Sequence, residues 1–153
     1  MANWCVGTLK IRGEKENVAN FMLNNFKIVE EDFSSKNYFE KHDLDKTIHI
    51  KDTIYIDGLE AHLKNGQLID FWFYNSQEDI KVLHLEVEFR YDIVADDLLK
   101  LAKKYNLDFK IYAFERGLEF NRAVEIVNNQ IIKDETIKFN DYEWECICPT
   151  LGG

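Results

Sequence analysis

Three cysteines and four histidines are the side chains of this 153-residue chain best suited to nucleophilic or metal chemistry. Cys146 and Cys148 could offer two thiolates, with His42, His49, His62 or His84 adding an imidazole. A structural zinc site is built from two close-spaced ligand pairs, and a single Cys-x-Cys lacks the second. No metal is expected. A cysteine nucleophile needs a neighbouring base and surroundings that favour the thiolate. Cys5 instead falls in the apolar register of a strand, the place of an inert core thiol. No Ser, His and Asp spacing matches a nucleophile elbow or a triad, and no glycine-rich phosphate loop occurs. The sequence nominates no catalytic residue and no cofactor.

Carboxylates are abundant but unspecific. Glu86 and Glu88 share one face of a strand, and Glu115 and Glu119 flank Gly117. Near Tyr112 such groups would line a site on the sheet for acid–base work or a small ligand. That is the alternative reading, set beside a plain hydrated sheet face. Tyr112 and Phe114 are also placed to stack bases, but base-stacking sheets pair their aromatics with Lys and Arg. Here Glu86, Glu88, Glu115 and Glu119 surround them, so direct nucleic-acid binding is not expected.

The acidity gathers in two segments. Glu30, Glu31, Asp32, Glu40, Asp43 and Asp45 face only Lys36 and Lys41, with Phe33, Tyr38 and Phe39 among them. Asp134, Glu135, Asp141, Glu143 and Glu145 face Lys138, with Tyr142 and Trp144 beside them. Aromatics set among carboxylates suit a protein interface with a basic partner. The candidate partner-binding residues are Glu30, Glu31, Asp32, Phe33, Tyr38, Phe39, Asp43, Asp141, Tyr142, Glu143 and Trp144. The blander reading is a solvated loop and tail.

The elements that must carry these residues follow from periodicity. A strand runs from the start to Gly13, with Cys5, Gly7, Leu9 and Ile11 on one face. Glu14 to Phe26 has helical spacing through Val18, Phe21, Met22 and Phe26. Residues 30–46 read as a loop, and Thr47 to Asp57 as a strand with Ile48, Ile50, Ile54 and Ile56 inward. Asn65-Gly66 marks a turn, and Leu68 to Tyr74 a strand or buried connection. Val82 to Asp92 alternates cleanly, with Leu85, Val87, Phe89 and Tyr91 on the core side. A helix follows with Val94, Leu98, Leu101, Ala102 and Tyr105 on one stripe, acids at its start, lysines at its end and Asn106 as cap. Leu107 to Glu115 is a strand, and Phe120 to Phe139 a hairpin turning at Asn128-Asn129. A last strand through Trp144, Cys146 and Cys148 is expected.

This order, β-α-β…β-α-β, predicts an α+β protein of ferredoxin-like (split βαβ) type. An antiparallel sheet would carry two helices on one face and an added C-terminal hairpin. Residues 1–153 would form a single domain with a variable insertion at about 30–81. Formal net charge is −9, which argues against phosphate-rich partners and anionic membrane surfaces. No apolar run reaches the roughly 20 residues of a membrane span. A strand at the very start leaves no room for a leader, so a cytoplasmic protein with reduced thiols is expected.

Two blocks carry a family resemblance. Met-Ala-Asn-Trp-Cys leading into Leu9-Lys10-Ile11-Arg12-Gly13 resembles the opening of the YubB-like ferredoxin-domain proteins of plasmids and bacteriophages. Leu85 to Tyr91, the helix to Tyr105 and Asp108 to Phe120 are similar to that family's closing strand-helix-strand unit. The resemblance implies a ferredoxin-like fold and an accessory protein of a mobile element in a bacterial host. Joined to the charge pattern, it gives the functional expectation: a non-enzymatic protein that binds a basic host protein. A nucleic-acid-binding nuclease of bacterial immunity, such as a CRISPR effector, is the partner this setting suggests, and inhibition the outcome.

Overall fold

The computed structural model describes residues 2–153. Strand β1 (Trp4–Glu14) leads into helix α1 (Lys15–Asn25), followed by β2 (Phe26–Val29) and β3 (Ser35–Asn37). A 3-10 turn at Lys41–Asp45 precedes four short strands: β4 (Thr47–His49), β5 (Tyr55–Ile56), β6 (Ala61–Leu63) and β7 (Leu68–Asp70). The second half is more regular, with β8 (Ile80–Arg90), α2 (Ala95–Tyr105), β9 (Asp108–Glu115), β10 (Phe120–Val127), β11 (Gln130–Lys138) and the short helix α3 (Tyr142–Glu145).

Nine strands form one sheet in the order β11-β10-β9-β1-β8-β6-β5-β2-β3, while β4 and β7 pair separately. Every pairing is antiparallel. The chain is a mixed α+β protein, mostly antiparallel sheet with three helices. No described helix is long and apolar enough to cross a membrane.

The register explains why β1 is central. Leu9 lies opposite Leu85 of β8 and Ile111 of β9, and Ile11 opposite Leu83 and Phe109, so three alternating strands align their apolar residues on one face. Helices α1 and α2 cover that face and touch each other, α1 over β1 and β8 and α2 over β9 and β10. Val18, Phe21 and Met22 of α1 and Leu98, Leu101 and Ala102 of α2 are buried there. Buried Asn25 ties the helices together, accepting from the Tyr105 hydroxyl at 2.5 Å and donating to the Asp57 carbonyl at 2.8 Å. At Gly7 the strands come so close that a β-carbon would sit 2.4 Å from the Tyr112 carbonyl oxygen, backbone that cannot step aside.

The expected α2 cap is present: Asn106 takes the left-handed conformation at φ 54° and its N–H donates to the Ala102 carbonyl. Asn128 and Asn129 also carry positive φ, 51° and 59°, the mirror-image turn that suits strand twist in a two-residue hairpin.

Four expectations are corrected. The single strand over 47–57 is two, β4 in the small pair and β5 in the large sheet, with Ile50 and Ile54 buried in the connection between them. The loop over 30–46 contains β3 and the 3-10 turn. The strand through Trp144 and Cys146 is instead helix α3, begun by the Asp141 carboxylate accepting from the Trp144 N–H. Tyr91 and Val94, placed in the core, are half-exposed because β8 ends at Arg90 and Tyr91 turns at φ 66°.

Candidate functional site

The first acidic segment resolves into a surface tip and structural residues. Between β2 and β3 the chain closes a tight turn: the Glu30 N–H donates to the Ser34 carbonyl at 2.7 Å, and the Phe33 N–H to Glu30 at 3.0 Å. The Asp32 carboxylate accepts from the Ser34 N–H and hydroxyl at 3.0 and 2.5 Å. Those bonds, the Ser34 hydroxyl's first, hold its pKa below the ordinary carboxylate value and favour the charged form. The ring at the apex is Phe33, 92% exposed and held at φ 64°. A left-handed conformation costs a residue with a β-carbon about 1–2 kcal/mol. Glu30, Glu31 and Asp32 lead into it along the turn, and Lys36 neutralises only Glu30, at 2.5 Å.

Other members of that segment serve the fold. Phe39 is 2% exposed and packs edge-to-face on Phe26 and Phe71. Tyr38 lies half-buried against it. Asp43 accepts from the Glu40 N–H at 2.9 Å and caps the 3-10 turn. Phe39 therefore offers no surface to a partner, because the core of α1 and β2 needs its ring.

The second segment divides the same way. Tyr142 is 3% exposed, and its hydroxyl donates to the buried Asn121 Oδ1 at 2.8 Å. Asn121 in turn donates to the Tyr112 hydroxyl at 3.0 Å and to Cys146 Sγ at 3.3 Å. This network seats α3 on the sheet face away from the long helices, with Asp141 as its cap. Burial forces the Cys146 thiol up, but hydrogen bonds from Asn121, Tyr142 and the Cys148 backbone outweigh it and leave the thiol below its ordinary value. Asp141, Glu143, Trp144 and Glu145 face solvent, Trp144 at 85% exposure, while Tyr142 and Cys146 are buried. The two segments do not meet, since β3 is one edge of the sheet and β10, which holds Asn121, lies next to the other.

A third feature was not nominated from sequence. Four adjacent strands place Trp4 (β1), Arg90 (β8), His62 (β6) and Tyr55 (β5) on the open sheet face, Trp4 opposite Arg90 and Tyr55 opposite His62. They line a cavity of about 470 Å³ together with Thr53 and Glu60. The His62 ring meets Trp4 at 4.8 Å and Tyr55 at 6.3 Å, steeply inclined to both. Its Nδ1 lies 3.1 Å from the Leu63 carbonyl and its Nε2 3.5 Å from Glu88.

No family model, curated protein or solved structure matches the chain.

Of the carboxylates weighed for a sheet site, Glu88 reaches His62, whereas Glu86 is exposed and Glu115 is fully buried on the helix side. Glu115 accepts from the N–H groups of Gly117 and Leu118, both at 2.7 Å, and shapes the turn before β10. Among the described residues no group of three or more His, Cys, Asp or Glu side chains is gathered to hold a metal. Burial, with Asp92 and Glu115 nearby, pushes the Cys5 thiol up to about 12, which makes it a poor nucleophile. The missed signal for the cavity was Trp4 itself, an indole on the wet side of the opening strand.

Proposed function

We propose that this protein is a non-enzymatic binding protein that engages a basic partner protein through the acidic tip of the β2–β3 hairpin. The observation that carries this reading is Phe33, an aromatic ring 92% exposed at a left-handed position directly after three successive carboxylates. Strained positions persist where the surroundings over-determine them, and they concentrate at recognition sites. An exposed aromatic anchor next to charges has the anatomy of an interface hot spot, where the ring supplies buried area and the charges supply steering. The adjoining edge strand β3 has no neighbour on its outer side.

The wider setting is part of the same proposal. The arrangement reads as an elaborated ferredoxin-like frame, since β1 lies between β8 and β9, which α2 joins, and α1 crosses the same face. Strands β5 and β6, inserted between β8 and β2, mark the variable central segment. With the resemblance to the YubB-like family, this supports an accessory protein of a mobile element acting in the bacterial cytoplasm. Its natural target is a nuclease of host immunity, a CRISPR effector for example, blocked along its nucleic-acid path.

The test uses the full chain as bait with a purified guide-loaded nuclease and with bacterial lysate at low salt. The parent retains a basic protein, and the doubly reversed Glu31→Lys/Asp32→Lys variant releases it. Equal retention by a reversed variant with an unchanged circular dichroism spectrum would sink the proposal.

A further inference from the structure

The open-face cavity is a second site, independent of the hairpin tip. Its construction is unusual for a hydrated sheet face, because four consecutive strands each contribute one large side chain to it. His62 lies on β6, between the strands of Trp4 and Tyr55, with its Nδ1 3.1 Å from the Leu63 carbonyl and its Nε2 3.5 Å from Glu88. Trp4 and Tyr55 each meet the His62 ring edge-on, at 66° and 81°. Indole, imidazole and phenol thus line the cavity in a row, an aromatic surface against which a flat ring can pack.

The charged wall decides what that ring must carry. Among the described residues Arg90 makes no ion pair. Glu60, whose carbonyl accepts from the Arg90 N–H at 2.8 Å, has its carboxylate beyond ion-pair distance. The guanidinium is instead laid over the Tyr91 ring, 5.1 Å from its centre, with Nη2 donating to the Tyr91 hydroxyl at 3.4 Å. Tyr91 is itself held at φ 66°, with its N–H bonded to the Asn3 carbonyl at 2.7 Å. A strained residue thus braces an exposed guanidinium that makes no ion pair, with the Glu60 carboxylate a more distant neighbour, beside the aromatic row. A planar fork of donors left open in this way matches a phosphate.

We propose that this cavity binds a nucleoside monophosphate, with the base packed on the Trp4, His62 and Tyr55 rings, the phosphate on Arg90 and the ribose hydroxyls toward Glu60. The volume of about 470 Å³ lies within the roughly 300–1,000 Å³ of sites that enclose ligands of this size. The overall charge sets the class. A net charge of −9 repels a polymer of many phosphates far more than a ligand carrying one. The ligand is therefore the free mononucleotide and not a nucleic-acid strand.

Calorimetric titration of the full chain tests this with adenosine monophosphate, adenosine, ribose 5-phosphate and a 5′-phosphorylated tetranucleotide. Adenosine monophosphate is expected to saturate with a Kd below about 1 mM, and adenosine and ribose 5-phosphate to bind at least about tenfold more weakly. Arg90→Gln should bring adenosine monophosphate to the level of adenosine while leaving adenosine unchanged. Tyr55→Leu, at a 47% exposed position where folding is not at stake, should weaken both alike. Absence of saturable binding by adenosine monophosphate, an unchanged affinity in Arg90→Gln, or tighter binding of the tetranucleotide than of the monophosphate overturns the proposal.

Discussion

Phe33 shows how one residue can separate stability from function. Its left-handed backbone is strained for any side chain but glycine, so Phe33→Gly relieves the strain while deleting the ring. The expected outcome is a variant more stable by about 0.5–1 kcal/mol in urea titration that no longer retains the partner. A destabilised Phe33→Gly would show that the ring packs on something and is not a presented anchor. The aromatics that misled the sequence reading were Phe39 and Tyr142. Both stand among carboxylates in the chain, yet both turn inward, because a segment that runs beside the core fills it with its largest rings. Composition locates such a residue in a stretch but not on a side.

Cys5 supplies a pH signature at the same scale. Burial, reinforced by the Asp92 and Glu115 carboxylates, raises its pKa to about 12 from the ordinary 9.0. The folded state therefore holds the proton that the unfolded chain gives up. This contribution is complete below pH 9 and drains away as pH rises toward 12. Urea midpoints should fall between about pH 8.5 and pH 10.5, and by less in Cys5→Ala. An identical fall in the variant would assign the effect to other groups.

At the scale of elements, legibility followed length. Strands β1, β8 and β9 and helix α2 hold their period over eight to eleven residues, and the chain displays them plainly. Strands β3 to β7 have two or three residues each, too few to show any alternation. Ile48, Ile50, Ile54 and Ile56 keep phase because all four pack on the core, although Ile48 lies in the small pair, Ile56 in the large sheet and the other two in the connection between them. The candidate site shared this limit: Tyr55 and His62 lie on the shortest strands, so their meeting with Trp4 and Arg90 had no local sign. Arg122 was equally hidden. From β10 it reaches Asp92 at 2.9 Å, the Ile93 carbonyl at 2.8 Å and Asp134 of β11 at 2.7 Å, clamping the approach to α2 onto the C-terminal hairpin. Its side chain is buried while both carboxylates are half-exposed. Arg122→Leu should cost about 2–3 kcal/mol, less than a fully buried pair, with faster amide exchange concentrated in β10 and β11. Protection lost evenly over the whole sheet would show that the clamp is not local.

On the whole molecule, the charge of −9 acts as two separate fields. Seven strand spacings lie between β10 and β3, about 34 Å at the usual separation of roughly 4.8 Å. The Debye length is about 10 Å at 0.1 M salt, so the tip and the α3 face are screened from each other. A partner steered by the tip should not sense α3. Glu31→Lys/Asp32→Lys is expected to abolish retention and to remove most of its salt dependence, whereas Glu143→Lys with Trp144→Ala should leave both near the parent's. Parent binding should weaken steeply between about 0.1 M and 1 M salt, where the screening length contracts to about 3 Å. If the α3 variant loses the partner and the tip variant keeps it, the recognition face is the opposite edge of the sheet, and Phe33 is a strained turn with no partner.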